Sequence, residues 1–509
     1  MSANLAAGAA RWPTSEDYVS RARRIPVLVG ALALALASAY AAALIVTDGD
    51  RLLLVPLVGA VVVLVILAHP VVGVYVLFGA ALLFEQFPIA QVDPITAQTH
   101  IFQNISSFTP VPVRLSLAEL LMLLTLGSWA ARRVAGTITA FRMGPIGWPV
   151  AAYASVFVIG AVIGAARGGS WSPDAALAEM RAPLYVCLMY FLAANLIRDR
   201  RQVAVLLWAF VLMIGIKAVQ GILNYQGSTD LGIAEAVTSH EDVVFFDVAI
   251  ALAVLAIVLG VRTKLTYVLL GLQPVVLLAE LLTQRRVGFV ALGAVLVVVT
   301  LLALAANPRR GMVLAAVGAL AIGAYVVAFW ENSGAIGEPI RALRGVLDPS
   351  SVSLRDQLSN GWRDIENRNI AYTIQQVPLT GVGVGQKYFF RQQPPPLPDS
   401  FTFWRYITHN AVLWLWLKAG PLGGFVLWFL VGRVLILGSA LFVRLRDPSL
   451  RWVAAFPITL IACQIVFSSV DLGLTYSRTM IVLGVALGLP ALLFDANPLV
   501  SASRREEPA

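Results

Sequence analysis

The residue best suited to acid–base chemistry in this sequence is a histidine that ends a long polar segment. His409 and Asn410 directly precede the apolar run 411–417, so we expect His409 where a loop meets a helix. An imidazole has an ordinary pKa of about 6.5, which suits a general base near neutral pH. Asn410, the next residue, could orient the ring. A histidine at such a boundary can also be a helix cap or an interfacial residue, so both interpretations remain open.

A pair of adjacent cations is the second chemical feature. Arg285 and Arg286 lie between two apolar runs, 265–282 and 287–306. Two neighbouring guanidinium groups repel each other unless an anion or carboxylates lie between them. Because guanidinium groups bind phosphate oxygens through paired hydrogen bonds, a diphosphate would suit this position. Structural salt bridges at the helix ends are the alternative interpretation.

A glycine-rich turn lies between these two features along the chain, in the segment Pro378-Leu-Thr-Gly-Val-Gly-Val-Gly385. Glycines at alternate positions allow a tight turn, with backbone N–H groups close to a ligand. A dinucleotide-binding fingerprint would need a preceding strand, which the sequence does not predict. A purely structural turn is therefore the favoured interpretation of Gly381, Gly383 and Gly385.

The histidines and cysteines are too scattered to form a metal site. His69, His100 and His240 lie in separate loops, without the spacing of metal ligands. Cys187 and Cys463 lie within apolar runs, which gives neither a disulfide framework nor a zinc cluster. We therefore predict no metal and no cofactor.

The elements that position these residues are strongly apolar. Of 509 residues, 59% are hydrophobic and 13% are charged, and the mean hydropathy is +0.81. Soluble domains average about 25% charged residues, which argues against a soluble enzyme, a nucleic-acid binder or a disordered scaffold. Apolar runs of about 20 residues are typical of membrane-spanning helices. Fourteen candidate spans lie at 25–46, 52–68, 71–85, 115–131, 146–166, 182–197, 202–224, 243–261, 265–282, 287–306, 311–330, 421–443, 452–470 and 478–494.

The fold expected is an all-α polytopic membrane protein in a lipid bilayer, with about 12–14 transmembrane helices. Cations collect at one end of the spans, as they do on the cytoplasmic side. These are Arg132, Arg133, Arg142, Arg198, Arg200, Arg201, Arg262, Lys264, Arg309, Arg310, Arg444, Arg446, Arg451, Arg504 and Arg505. We therefore predict a cytoplasmic tail (1–24), a transmembrane bundle (25–330), an extracytoplasmic loop with short helices (331–420), further transmembrane helices (421–494) and a cytoplasmic tail (495–509).

The long outer loop contains an ordered set of motifs. They are Arg363-x-x-Glu366, then Ile370 and Ile374, the turn Pro378 to Gly385, His409-Asn410-x-x-Leu413 and Gly420-x-x-Gly423. Asp356 to Val377 has a helical pattern that ends at Pro378. In order and spacing these motifs, over about residues 355–430, resemble the O-antigen ligase and polymerase family. Arg285-Arg286 lies where that family places phosphate-binding arginines. Lys418 is a departure, because the family often has Glu before the glycine pair.

The resemblance implies an inverting, metal-independent glycosyltransferase of the GT-C type in the bacterial inner membrane. Its donor would be a glycan on a polyprenyl diphosphate such as undecaprenyl diphosphate, and its acceptor a glycan or lipid hydroxyl at an extracytoplasmic site. Other polysaccharide-assembly membrane proteins would be partners. The predicted general base is His409, and the predicted diphosphate ligands are Arg285, Arg286, Arg363, Arg181 and Arg478. Supporting roles fall to Asn410, Glu366, Gly381 and Gly383.

Three functions remain open on the sequence alone. A polymerase would extend lipid-linked repeats for an O-antigen, capsule or exopolysaccharide, and a ligase would move a finished glycan onto a surface acceptor. A secondary transporter or glycan exporter would also have many spans and buried charges. The sequence has no clear internal repeat, and a long outer loop is usually functional or disordered. These observations favour an external active site.

Overall fold

The computed structural model describes residues 38–42, 46, 54–87, 94, 96–136, 141–230, 237–332, 334–347, 354–395 and 402–495. This part of the chain is helical and contains no strand, so the predicted all-α class is confirmed. The chain forms two compact units, residues 1–65 and 66–509. All contacts described below lie within the second unit.

The helices are α1 (Leu54–Ala68), α2 (Val71–Leu83), α3 (Leu117–Val134), α4 (Gly147–Arg167), α5 (Pro173–Leu196), α6 (Arg200–Asp230), α7 (Asp242–Leu259), α8 (Lys264–Thr283), α9 (Arg286–Ala306), α10 (Pro308–Phe329), α11 (Glu338–Leu347), α12 (Leu354–Gln376), α13 (Ala411–Arg444), α14 (Pro448–Ser468) and α15 (Ser477–Asp495). Short 3₁₀ turns lie at Ile105–Ser107, Ala335–Gly337 and Gly473–Thr475.

Ten helices of the described residues, α4 to α10 and α13 to α15, are long and apolar enough to cross a membrane. Each corresponds to a predicted span, so this is a multi-pass membrane protein. The predicted spans 52–68 and 71–85 form the shorter α1 and α2. The span 115–131 forms α3, which carries Glu119, Arg132 and Arg133. The span 25–46 and the two predicted tails lie almost entirely outside the described residues.

Helix starts follow from local sequence. Ser116 and Glu119 form a reciprocal capping box at the start of α3. Asn307 and Asp447 cap α10 and α14, and each is followed by a proline at the first helical position. Proline is well tolerated there because that N–H has no partner within the helix. Polar residues between apolar runs therefore define where these membrane helices begin.

The core of the bundle is the pairing of α5 with α15, and α14 packs against α7, α9 and α13. Small residues permit the first contact, because a Cβ on Gly484 of α15 would overlap the Val186 carbonyl oxygen of α5, and one on Gly488 would overlap the Ala193 Cβ. In α10, by contrast, Gly311 is the one buried residue. An apolar helix with so little buried surface lies at the periphery of the bundle and faces lipid.

Contacts between connections define the two ends of the bundle. At one end Arg132 donates to the Ala68 carbonyl, Arg310 to the Val258 carbonyl at 2.9 Å, and Arg200 pairs with Asp447 at 3.6 Å. These arginines were all predicted to be cytoplasmic. At the other end, the α4–α5, α6–α7, α8–α9 and α14–α15 connections contact one another or the segment 380–409. The candidate site lies at this second end.

Helix α13 contains the boundary that was predicted between the outer loop and the membrane. The helix begins at Ala411 and continues to Arg444, with a bend at Gly420, whose φ is 64° and ψ is −158°. Pro421 follows and removes a backbone donor. The predicted boundary at residues 420/421 thus coincides with a bend inside one helix.

Candidate active site

Helix α12 supplies one wall of the site through a stripe of buried residues. Trp362, Glu366, Asn369, Ile370 and Thr373 recur at helical spacing and are all buried. The polar members of this stripe bind backbone rather than solvent. The Asn369 side chain accepts two N–H groups of the segment 391–392 at 2.8 and 2.9 Å, and donates to a carbonyl there. The stripe therefore fixes the chain that leads from the glycine turn back to His409.

His409 is held by a buried carboxylate. Its Nδ1 lies 3.1 Å from Glu366 Oε2, and its backbone N–H donates to the same oxygen at 3.0 Å. The Glu366 side chain is fully buried, whereas 23% of the His409 side chain is exposed. Trp362 contacts the ring edge to face, with centroids 5.2 Å apart. A proton on Nδ1 satisfies the carboxylate, which makes Nε2 the basic nitrogen of the neutral ring.

Asn410, which the sequence suggested as a residue that could orient His409, caps the helix that follows. Its side-chain oxygen accepts the Leu413 N–H at 3.0 Å and so caps α13. A cap of this kind is worth about 1 kcal/mol to a helix. The orienting residue is Glu366, which the motif Arg363-x-x-Glu366 contains. Asn410 therefore contributes indirectly, by fixing the start of the helix that follows His409.

The glycine turn packs between α4 and the part of α13 that precedes its bend at Gly420. Its amides are occupied by protein: Val382 N–H donates to the Leu417 carbonyl at 2.8 Å, and Gly383 N–H to the Lys418 carbonyl at 3.1 Å. Val384 N–H donates to the Gly160 carbonyl at 2.8 Å. Gly381, Gly383 and Gly385 all have positive φ. This geometry fits the structural turn favoured by the sequence and leaves these N–H groups without a role in phosphate binding.

We expect Gly383→Ala to destabilise the protein strongly. The residue has a φ of 93°, and a Cβ there would overlap the backbone of Gly164 in α4. The overlapping atoms are backbone atoms and cannot rotate away, so the overlap can be relieved only if α4 and the turn move apart. We expect a clear loss of thermal stability in lipid nanodiscs, of at least about 2 kcal/mol. Gly361→Ala is the matched control, because Gly361 lies in α12 with open space around it. A Gly383→Ala protein as stable as that control would contradict this account.

A buried ion pair holds the turn in place. Lys418 of α13 lies 2.7 Å from Glu179 of α5, and both side chains are fully buried. Lys418 Nζ also donates to the Gln386 carbonyl at 2.5 Å. Glu179 accepts the Gly385 N–H at 2.5 Å and the Trp414 indole N–H at 3.3 Å. Three segments that are distant in sequence are thus joined at one pair of charges.

The predicted arginine pair lies at a tight turn between α8 and α9. Gln284, with a φ of 52°, reverses the chain, and Arg285 precedes the first residue of α9, which is Arg286. Both arginines are half-buried. The N-terminus of α9 adds the positive end of a helix dipole at the same place. This combination of two guanidinium groups and a helix start is a favourable environment for an anion.

A second histidine–carboxylate pair lies next to this turn. His240 Nδ1 is 3.2 Å from Asp471 Oδ2 and 3.2 Å from Arg285 Nη1. Removal from bulk water lowers the pKa of His240, the charges of Arg285 and Arg363 lower it further, and Asp471 opposes them. Arg363 of α12 therefore lies within electrostatic range of this pair. Since Arg363 is one turn from Glu366, the cluster adjoins the wall that holds His409.

The remaining predicted ligands are bound to carboxylates. Arg478 is fully buried and pairs with Asp242 at 2.6 Å and with Glu241 at 3.1 Å. Arg181 lies 3.1 Å from Glu119 and donates to the Arg114 carbonyl. The hydrogen bonds and ion pairs described for Arg181 and Arg478 do not involve Arg285 or Arg363. Their roles as diphosphate ligands stay predictions, and their geometry fits structural salt bridges.

Reasoning from sequence alone missed Glu179, His240 and Asp471. The pair His240–Asp471 joins positions that are 231 residues apart, which no local spacing can reveal. The available signal was the cost of a charged residue in an apolar segment, which requires a partner. Among the described residues, no group of three or more His, Cys, Asp or Glu side chains could hold a metal ion.

Comparison with known proteins bears on this same region. No curated protein matches the chain. Residues 274–429 match the family model described as O-Antigen ligase. The matched segment contains Arg285, Arg286, Arg363, Glu366 and His409. Over residues 274–429 the match therefore confirms the resemblance to the O-antigen ligase and polymerase family.

Proposed function

We propose that this protein is a membrane glycosyltransferase of polysaccharide synthesis that uses a polyprenyl-diphosphate-linked glycan as its donor. The observation that carries the proposal is the partly exposed His409 ring, held by the fully buried carboxylate of Glu366. A carboxylate of this kind fixes the tautomer and stabilises the imidazolium that forms when the ring accepts a proton. The family match over the same residues supports glycan transfer as the reaction.

The proposed reaction is a single displacement at the anomeric carbon of the donor. His409 Nε2 accepts the proton of the acceptor hydroxyl as that oxygen forms a bond to the anomeric carbon. The bond between this carbon and the phosphate oxygen breaks, and its electron pair leaves with the polyprenyl diphosphate. Attack from the face opposite the leaving group inverts the anomeric configuration. The proton ends on His409, the glycan on the acceptor oxygen and the electron pair on the leaving diphosphate.

The leaving diphosphate gains negative charge during this step, and we propose that the arginine cluster stabilises that charge. Arg285, Arg286 and Arg363 would donate charge-assisted hydrogen bonds to the phosphate oxygens. The N-terminus of α9 supports them. Three permanent cations and a helix start can neutralise a diphosphate without a metal, and we propose a metal-independent, inverting mechanism on this basis.

We further propose that the site faces the extracytoplasmic side of a bacterial inner membrane. The arginines at the opposite end of the bundle support this orientation through the positive-inside rule. Both termini would then be cytoplasmic. A lipid-linked donor would reach the site from the outer leaflet, with its polyprenyl chain remaining in the bilayer and its diphosphate at the level of the arginine cluster.

The decisive experiment supplies purified protein in lipid nanodiscs with a polyprenyl-diphosphate-linked repeat unit, first alone and then with a lipid A core acceptor. We expect consumption of the donor and release of polyprenyl diphosphate in at least one condition. A ladder of longer carrier-linked glycans without added acceptor would identify a polymerase. Product that forms only with the second acceptor would identify a ligase. Intact donor in both conditions, with donor moved across proteoliposomes, would replace the transferase by a transporter.

A further inference from the structure

We propose that His240 is a further catalytic residue of this site, which donates a hydrogen bond and a proton to the diphosphate that leaves during transfer. The inference rests on the proposed function and extends it to a residue outside the matched family segment 274–429. Its ligand is the terminal phosphate of a polyprenyl diphosphate. His409 and His240 would then divide the proton transfers, His409 as the base for the acceptor and His240 as the donor to the leaving group.

The position of His240 supports this role. It lies in the connection between α6 and α7, and 46% of its side chain is exposed. Its Nδ1 faces the buried Asp471 carboxylate at 3.2 Å, and Arg285 Nη1 lies 3.2 Å from the same nitrogen. Because one edge of the ring is turned to a buried carboxylate, Nε2 is the nitrogen that remains for a ligand. The ring therefore lies beside a proposed diphosphate ligand, with a nitrogen to donate.

Asp471 is an ionised carboxylate that stabilises a protonated His240 ring. Burial raises the pKa of the Asp471 carboxyl, but His240, the Leu472 N–H and Arg285 outweigh burial and hold that pKa well below its usual range. The Leu472 N–H and the Tyr476 hydroxyl both donate to Oδ1, at 2.7 and 2.9 Å. The remaining oxygen, Oδ2, faces His240. The ionised Asp471 favours a proton on Nδ1, whereas Arg285 Nη1, which can only donate, favours a lone pair there. The protonated ring carries a proton on both nitrogens, and its Nε2–H is then the donor for a phosphate oxygen.

The charges around His240 make its protonation depend on the diphosphate. Arg285 from the α8–α9 turn and Arg363 from α12 oppose a positive ring, and Asp471 from the α14–α15 connection favours one. The Tyr476 ring, from the same connection, packs against the His240 ring with 6.4 Å between the centroids. Burial raises the pKa of the Tyr476 hydroxyl. Glu241, the neighbouring residue, has a pKa raised by burial to about 7 and pairs with Arg478. Without substrate, the net effect keeps the ring neutral near pH 7.

A bound diphosphate would reverse this balance. Its negative charges would neutralise Arg285 and Arg363 and favour the protonated ring, so the pKa of His240 rises on binding. Linkage then requires that binding takes up a proton, and that the His240-dependent part of the affinity increases as the pH falls from the bound pKa towards the free pKa. When the bond between the sugar and phosphate breaks, the proton on Nε2 moves to the phosphate oxygen that receives the electron pair.

Two substitutions distinguish the role of Nδ1 of His240 from the role of Nε2. His240→Asn keeps a donor near the position of Nδ1, for Asp471, but removes Nε2. His240→Gln keeps a donor near the position of Nε2 but cannot titrate. The probe is farnesyl diphosphate, whose head group matches the leaving group, bound to each protein in nanodiscs between pH 6 and 8. Calorimetry in two buffers of different ionisation enthalpy gives the number of protons taken up. His100→Gln, in the separate α2–α3 connection, is the matched control.

We expect His240→Asn to bind farnesyl diphosphate about 10- to 100-fold more weakly, as for a lost hydrogen bond to a charged group. His240→Gln should bind within a few-fold of wild type at pH 8, but its proton uptake at lower pH should be smaller by up to about one proton. His100→Gln should match wild type in both. If His240→Asn binds as wild type does, or if His240→Gln takes up as many protons, the proposal is wrong.

The same measurements in a His409→Ala background separate this inference from the proposed function. Proton uptake through His240 should persist there, because the two histidines are held by different carboxylates. Transfer that depends on His409, together with unchanged binding in His240→Asn, would reject the role of His240 alone. Absence of diphosphate binding by the wild-type protein would reject both.

Discussion

His409→Ala is expected to lower glycan transfer by about 10²- to 10⁴-fold, the usual contribution of a general base. Binding of the donor should change by no more than a few-fold, because the proposed diphosphate ligands lie on α9 and α12. The measurement is the initial rate of polyprenyl diphosphate release from a lipid-linked repeat unit, over a range of donor concentrations. The loss should therefore be found in kcat and not in KM.

Glu366 provides the control for this interpretation. Glu366→Gln keeps the shape of the side chain but removes the negative charge that lies 3.1 Å from His409 Nδ1. We expect a smaller loss than that of His409→Ala, and the double variant should be no slower than His409→Ala alone, because the two residues act as one unit. Losses that multiply in the double variant would show that Glu366 acts elsewhere. Full activity in His409→Ala would remove the general base from the mechanism.

Lys418→Met is expected to cause the largest loss of stability. It leaves the fully buried Glu179 carboxylate without its cation and removes the donor to the Gln386 carbonyl. Breaking a buried ion pair from one side costs about 3–5 kcal/mol. We expect a large fall in the midpoint of thermal unfolding, measured by tryptophan fluorescence in nanodiscs, together with loss of transfer. Lys264→Met changes an exposed lysine at the start of α8 and should be close to neutral.

The double variant Lys418→Met/Glu179→Gln distinguishes charge from packing. Glutamine keeps an oxygen for the Gly385 N–H and the Trp414 indole, and no buried charge remains. Replacing both members of a buried pair is often nearly neutral, so most of the stability should return. An unfolding midpoint of Lys418→Met equal to that of wild type would mean that the pair does not hold the turn.

The helices were predictable because a membrane-spanning helix is a continuous run of apolar residues, which is a local property of the sequence. Apolar length predicted ten helices, and Pro378 predicted the end of α12 within two residues. The arginine pair and His409 were predictable as candidates, since a charged residue beside an apolar run has few structural explanations. Their partners were not predictable in the same way. Glu366 was placed in a motif, but its contact with His409 depends on how α12 packs against α13.

Sequence reasoning was least decisive where one residue could serve two purposes. Asn410 beside His409 suggested a side-chain contact, yet an asparagine directly before an apolar run is also a strong helix cap, and the cap is what forms. Lys418 departs from the family pattern, and its partner is Glu179 of α5. That contact joins segments far apart in the chain, which periodicity does not encode.

The bend at Gly420 ends a short helical segment that begins directly after His409 and Asn410. The segment from Ala411 to Ala419 is about 13 Å long at 1.5 Å per residue. It connects His409 at one end to Lys418 near the other, where the ion pair with Glu179 joins it to α5. The proposed base thus adjoins a short helical segment that the Lys418–Glu179 ion pair anchors in the bundle. In the proposed mechanism an acceptor hydroxyl must approach a base whose position is already set, so adaptation to different acceptors falls to residues outside this segment.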